Sequence, residues 1–432
     1  MLLLVLIFKI HSFLALLITS IVVGLLSGIN PITLIATMQE GMGSTLGFIG
    51  LVVGLGAIFG GILEHSGGAE SLATFLLSKF GNKRASWALM LTGFIIAIPV
   101  FFDVAFIILV PIVYAIQRKT GKSLLLYGIS LLAGLAITHS FVPPTPGPVA
   151  VAEIINVDLG WVILFGCLAG IPAAIICGPI FASFIAKRIH IEAPKLEDES
   201  NYNSKNFPAV ELIILIIAVP ILLIVFNTIL NSSLIGEKVI SKNVLEWIGM
   251  IGHPFSALLI VNIIAWYVLG VRRGFSKEEL SNISTKSISS TGIILLLTGA
   301  GGVFKQVLID TGAGEVLANY FAEKEIGILL VSFLAASLIR IIQGSATVAM
   351  ITAAGITSAL LPEVISEPQK ALVVISIASG ATIMSHVNDS GFWLVSKYLG
   401  LSETNTFKSW TIMTTLLAIF GFISVTLLSL LL

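Results

Sequence analysis

Apolar runs of roughly 20 residues, the length that carries a helix across a bilayer, recur along the chain at 12–28, 46–63, 160–186, 209–230, 248–271, 290–308 and 410–432. They are solidly apolar rather than alternating, which predicts transmembrane helices and excludes a membrane β-barrel. Four further apolar regions are interrupted. Residues 86–116 divide near Pro99 and Asp103 into halves too short to cross at 1.5 Å per residue. Lys79, Lys83 and Arg84 precede this region and Arg118, Lys119 and Lys122 follow it. Positive loops stay cytoplasmic, so the chain is expected to enter, turn at mid-depth and leave on the same side, as a re-entrant hairpin. Residues 326–361 divide likewise at Gln343-Gly344-Ser345, between the flanks Glu323-Lys324-Glu325 and Pro362-Glu363, which lack that basic character. This predicts a second hairpin, entering from outside. Residues 124–156 are broken at Val142-Pro143-Pro144-Thr145-Pro146-Gly147-Pro148, and residues 371–400 at Asn388-Asp389-Ser390-Gly391. Each reads as one crossing with an unwound middle.

Threading the chain through these elements leaves Lys238, Lys242, Lys324 and Lys370 outside and Lys305 and Arg340 within the membrane, with every other Lys and Arg inside. A repeat at a shift of 245 residues supports the same threading. GLGAIFGGILEHSGGAESLA, from Gly54 to Ala73, lies over GAGGVFKQVLIDTGAGEVLA, from Gly299 to Ala318, with identities that include Gly56/Gly301, Phe59/Phe304, Leu63/Leu308 and Glu70/Glu315. The two copies run in opposite directions across the membrane. The predicted fold is therefore an all-α polytopic membrane protein of two inverted-topology repeats, each with a re-entrant hairpin and a broken transmembrane helix. Residues 1–45 form an N-terminal membrane segment and connecting loop, 46–186 the first repeat, 187–289 a linker with two transmembrane helices, and 290–432 the second repeat. Inverted repeats with broken helices point to alternating-access transport, the substrate being held near the midplane.

Composition agrees. Of 432 residues 56% are hydrophobic and 11% charged, and the mean hydropathy is +1.06, which excludes a soluble globular protein. The formal net charge of zero offers nothing to nucleic acid. Cys167 and Cys177 share one apolar segment, so neither a disulfide framework nor a cysteine metal site is expected. The short apolar stretch from Leu2 to Phe8 precedes a full-length segment with no small-residue cleavage site after it, so the segment is expected to be retained.

The four breaks hold the candidate chemistry, and each residue has a structural reading beside the functional one. Asp103 is an acid at mid-depth, where charge is costly and usually functional, or it caps the second hairpin helix. Arg340 complements a substrate carboxylate, for which its planar fork is suited, or pairs with an acid such as Asp103. Ser345, Thr347 and the free amides at Gly344 receive an anion, or merely cap a half-helix. The proline run after Thr138-His139-Ser140 forbids regular helix and frees carbonyls toward a cavity. His139 and His386 occupy similar places in the two halves, as proton relays or as satisfied donors. Asn388 and Asp389 bind hydroxyls or a cation, or cap the next helix. Lys305 is expected to partner a nearby acid, Glu153 is a weaker relay candidate, and Asp310, Glu64 and His65 read as solvated segment ends.

The strings His139-Ser-Phe-Val-Pro-Pro-Thr-Pro-Gly-Pro148, Phe101-Phe-Asp-Val104, Gly344-Ser-Ala-Thr-Val-Ala349 and Ser385-His-Val-Asn-Asp-Ser-Gly-Phe-Trp393 resemble those of the gluconate permease family of bacterial symporters. The resemblance extends in order and spacing over nearly the whole chain. It implies proton-driven uptake of gluconate or a related small hydroxycarboxylate across the bacterial cytoplasmic membrane, and membership of the wider ion-transporter superfamily. Members begin with a fuller apolar segment than Leu2 to Phe8, and some carry histidine where this chain has Thr145. The expected substrate-binding residues are Arg340, Gly344, Ser345, Thr347, His139, Ser140, Thr145, Asn388 and Ser390. Asp103 is the first candidate for proton coupling, with Asp389 and His386 in reserve. No cofactor or metal is expected, the coupling ion being H⁺, or Na⁺ if carbonyls of the broken helices and Asn388 ligate it. The partners are a small carboxylate and the lipid bilayer, with homo-oligomerisation open. The alternatives are a sodium-coupled carboxylate or D-serine-type symporter and, more remotely, an intramembrane hydrolase using Ser345 with His386.

Overall fold

A computed structural model describes residues 4, 8–194, 207–231, 241–289, 291–312, 327–362 and 364–432. Lys238, Glu323-Lys324-Glu325, Glu363, most of Leu2 to Phe8 and the second repeat copy beyond Gly312 lie outside these residues. The described residues form helices and turns with no strand. In chain order they are α1 (Ser12–Leu26), α2 (Pro31–His65), α3 (Gly68–Phe80), α4 (Ala85–Ile96), α5 (Phe102–Thr120), α6 (Leu124–Phe141), α7 (Pro146–Ile155) and α8 (Leu159–Ala186). After them come α9 (Val210–Leu230), α10 (Lys242–Gly252), α11 (Pro254–Arg273), α12 (Lys277–Ser289), α13 (Gly292–Asp310), α14 (Ile328–Gln343), α15 (Ala346–Ser358), α16 (Glu367–Thr382), α17 (Ser390–Tyr398) and α18 (Glu403–Ser429).

The repeat is visible as antiparallel packing. The Thr37 hydroxyl near the start of α2 donates to Asp310 at the end of α13, at 2.7 Å. Farther along, the Gly41 and Gly302 backbones meet and Met42 and Leu46 cover Gly299. At the far end Gly61 of α2 faces Ser287 of α12. Two helices that bear the same sequence pattern thus run in opposite directions, as an inverted repeat requires. Asp310 is exposed at its segment end, as read, and in addition ties the two copies together.

Helix pairs divided by short breaks stand at α4–α5 and α14–α15, and divided helices at α6–α7 and α16–α17. In each half the broken crossing lies across the first hairpin helix, and glycine makes the close approach. A Cβ on Gly134 of α6 would run into the Met90 carbonyl of α4, and one on Gly380 of α16 into the Phe333 carbonyl of α14. Helix starts are locally specified. Ser123 caps α6, Ser366 and Gln369 form a capping box on α16, and Pro31, Pro146 and Pro254 stand at first-turn positions where no amide partner is lost.

Several boundaries differ from expectation. The loop expected before residue 46 is helical, because α2 runs for 35 residues from Pro31. Thr37, Gln39 and Glu40 end the apolar run without ending the helix, since hydropathy and helix propensity are separate properties. Helix α1 has 15 residues, about 22 Å at 1.5 Å per residue, and falls short of the full crossing predicted. The crossing expected at 248–271 is divided at His253-Pro254 into α10 and α11, proline removing the donor that would continue α10. Within the expected linker, α12 leads into α13 as an additional amphipathic helix.

The threading predicts that a cysteine replacing Lys83 is labelled from the cytoplasmic side and one replacing Pro362 from the opposite side. Membrane-impermeant maleimide on right-side-out and inverted vesicles reads this directly, and labelling of both from one side would contradict the inverted arrangement.

Candidate functional site

Three of the four interruptions, the two hairpin tips and the break in the second crossing, meet around one cavity of about 600 Å³, which the first broken crossing reaches through the end of α6 before its proline run. The first hairpin contributes Phe101 to Val104, and the second contributes Arg340 and Gln343 to Thr347. The broken crossings contribute His139 and Ser140 on one side and Asn388 to Gly391 on the other, while α18 closes the wall with Trp410 and Thr414. The N-terminal ends of α5, α15 and α17 all line this space. Helix N-termini carry partial positive charge and free amides, so their convergence favours an anion.

At the centre, Arg340 Nη2 donates to Asp389 Oδ2 at 2.5 Å, with 5% and 14% of the two side chains exposed. The same carboxylate oxygen accepts from the Ser385 hydroxyl, while Oδ1 takes the Gly391 amide at 3.1 Å and caps α17. Ser385 is itself held, accepting from Trp410 Nε1 at 2.6 Å and giving its amide to Thr414 at 3.1 Å. Asn388 Nδ2 donates to the Ile341 and Ile342 carbonyls at 3.0 and 3.3 Å, and His386 Nε2 donates to Ile341 at 2.9 Å. The hairpin tip is therefore sewn to the break of the neighbouring crossing. Gly344 sits at φ +85° with Asn388 pressed against its Cα, where a Cβ has no room.

Some polar atoms at the cavity remain unused. Arg340 Nε and Nη1, Gln343 Oε1 and His139 Nδ1 are buried with no hydrogen-bond partner among the described residues. Among the described residues Asp103 has no hydrogen-bond partner, and it does not cap α5, which follows Phe101. It is open to the cavity and within electrostatic reach of Asp389.

Most of the expected site residues are brought together here: Asp103, His139, Ser140, Arg340, Gly344, Ser345, Thr347, Asn388, Asp389 and Ser390 all line the cavity. Two are not. Thr145 borders a separate small void with Gly56 and Pro99, and its hydroxyl turns back to the Val142 carbonyl at 2.7 Å. His386 is used by the Ile341 carbonyl and lies outside the lining. Arg340 pairs with Asp389 rather than Asp103. Ser345 caps α15 through the Val348 amide at 3.4 Å, so it forms no nucleophile and base pair with His386. Lys305 on α13 and Glu153 on α7 attract each other away from the cavity. Gln343, Thr382, Trp410 and Thr414 were not anticipated as lining. Trp410 and Thr414 stand four residues apart, on one face of a helix whose apolar run reads as an ordinary crossing.

Comparison with known proteins decides the family. The model of the GntP family permeases matches residues 1–431. The chain belongs to the GntP permease family. Among its relatives, the low-affinity gluconate transporter of Escherichia coli K12 is 40% identical over 426 residues, covering 98% of this chain and 95% of the relative. The gluconate permease of Pseudomonas aeruginosa is 36% identical, with 98% and 94% covered. The Gnt-II system L-idonate transporter of E. coli K12 is 34% identical, with 97% and 94% covered. Two solved transporters share the fold at 14% identity. MtrF of Neisseria gonorrhoeae has a TM-score of 0.66 over 96% of this chain and 94% of its own, and YdaH of Alcanivorax borkumensis has 0.67 over 97% and 98%. This permease is a multi-pass membrane transporter and not an enzyme.

The tip geometry yields a prediction. Gly344→Ala must place a side chain at positive φ, which costs roughly 1–2 kcal/mol, and must also push Asn388 off the α14 carbonyls. Transport should be lost and the melting temperature in detergent should fall, whereas Ser390→Ala should melt normally. An unchanged melting temperature in Gly344→Ala would contradict the packing described.

Proposed function

We propose that this permease carries gluconate or a closely related sugar acid across the bacterial cytoplasmic membrane in symport with protons, and that Arg340 binds the substrate carboxylate. The observation that carries this reading is the buried guanidinium, with Nε and Nη1 unpartnered at the wall of the polar cavity. A buried donor without a partner costs about 1–3 kcal/mol, so an arriving carboxylate that satisfies it is held strongly. The converging N-termini of α5, α15 and α17 add to the attraction. The relatives named for gluconate and L-idonate transport support the same class of substrate.

A six-carbon polyhydroxy acid suits the rest of the lining. Gln343 Oε1 is a buried acceptor awaiting a hydroxyl, and Ser140, Ser345, Thr347, Thr382 and Thr414 surround the space with groups that both donate and accept. Phe101, Phe102 and Trp410 supply apolar surface for the carbon chain, the Phe102 and Trp410 rings lying 5.7 Å apart. The two acids in the cavity, Asp103 and Asp389, supply places for a proton that travels with the anion.

Arg340→Lys keeps the charge and loses the planar fork, so gluconate affinity should weaken by about 1–3 kcal/mol, the scale of a charge-assisted hydrogen bond. Arg340→Ala should abolish binding. Isothermal titration of the purified permease with gluconate measures both, and normal affinity in Arg340→Ala would remove Arg340 from the substrate site.

A further inference from the structure

We propose that Gln343 reads a substrate hydroxyl close to the carboxylate, and that Ser12 of the N-terminal helix positions it for that contact. The inference deepens the sugar-acid reading above and rests on it. Gln343 stands three residues after Arg340 on α14, so the two share a face one turn apart, with Cβ atoms roughly 5–6 Å from each other. Both line the cavity. A carboxylate held by Arg340 therefore brings the hydroxyls on its first two neighbouring carbons within reach of Gln343. The two ends of the Gln343 amide are differently engaged. Nε2 donates to the Ser12 hydroxyl, while Oε1 is buried at the cavity wall with no hydrogen-bond partner among the described residues. An amide held at one end cannot turn over without breaking that bond, so Ser12 keeps the acceptor end for the substrate.

The place of Ser12 follows from the packing of α1. Leu16 is fully buried in a cluster with Ala300, Phe304 and Leu308 of α13, and Ile356 of α15 packs against the same cluster. Helix α1 thus lies along α13 and the returning helix of the second hairpin, and its first residue meets that hairpin's tip. At its far end Leu34 of α2 covers Gly24. With that end fixed, the 15 residues of α1 bring its start to the tip rather than through the bilayer. The cap of α1 is His11, whose Nδ1 accepts from the Phe13 amide at 3.3 Å. The Ser12 hydroxyl, a group that ordinarily caps a helix start, is therefore left for Gln343. Ser12 stands behind Gln343, outside the cavity lining, and is a positioning residue.

The test is counterflow in proteoliposomes containing full-length permease, with gluconate compared against 2-deoxygluconate and 3-deoxygluconate. For one of the two analogues the wild type should show a KM roughly tenfold or more above that for gluconate, because Oε1 then stays buried and unpaired. Gln343→Leu should shrink this discrimination to about twofold by raising the gluconate KM. Ser12→Ala should raise the gluconate KM about fivefold, the scale of one hydrogen bond, with kcat little changed and the KM for the discriminated analogue moving less. Ser12→Thr, which keeps the hydroxyl, should restore the gluconate KM. If Ser12 merely seats α1, its loss should instead raise KM for gluconate and analogue together or lower kcat for both. That pattern, an unchanged gluconate KM in Ser12→Ala, full discrimination in Gln343→Leu, or a wild type that takes both analogues as well as gluconate would overturn the proposal while leaving the sugar-acid reading intact. A wild type that does not transport gluconate at all would strike that reading instead.

Discussion

A helix that stops halfway across a bilayer leaves carbonyls or amides with no water to satisfy them, and each unsatisfied group costs several kcal/mol. This permease stops helices at four places, and the centre of its structure is organised by repairing those ends. The carbonyls that end α14 are taken by Asn388 and His386 from the break between α16 and α17. The amides that begin α15 and α17 are taken by Ser345 and Asp389. The second hairpin tip is thus completed by the break of the neighbouring crossing, which brings these two together beside the cavity.

The same constraint determines where charge is tolerated. Arg340 is bearable at this depth because Asp389 neutralises it, and Asp389 is bearable because Arg340, Ser385 and the first turn of α17 surround it. A buried pair of this kind contributes little net stability, since desolvation offsets attraction, but removing one member is expensive. Such a pair suits a switch better than a rivet. Ser385 extends the network into α18, a helix outside both hairpins, through Trp410 and Thr411.

Around this centre the framework is made of close helix crossings. Without a hydrophobic driving force between helices in lipid, contact area is what holds them, and small residues let backbones approach. Gly41 and Gly302 do this between the two antiparallel repeat copies, and Gly134 and Gly380 do it between broken crossing and hairpin in each half. Corresponding glycine crossings thus recur in the two halves. Alternating access draws on such correspondence.

The membrane class, the hairpins, the broken crossings and the inverted repeat were legible in the chain because each rests on local quantities: apolar run length, charge at the ends, and prolines or small polar residues at a break. The repeated glycine pattern at Gly54 and Gly299 carried the symmetry for the same reason. Most site residues were legible too, since a polar side chain in a short gap between apolar helices has few places to go but the midplane. Three things were not. The extents of α1 and α2 escaped because hydropathy reports where lipid is, not where the helix ends. Trp410 and Thr414 escaped because they sit in a continuous apolar run with no sequence break, and only its packing against the Ser385 break turns one face toward the cavity. The choice between Asp103 and Asp389 as the partner of Arg340 escaped because both are acids at the same expected depth. Sequence separation says nothing about which one stands 2.5 Å from the guanidinium. That distance depends on how the second hairpin lies against its own broken crossing, a relation fixed by the Gly380 contact and the Asn388 hydrogen bonds and expressed in no single segment of the chain.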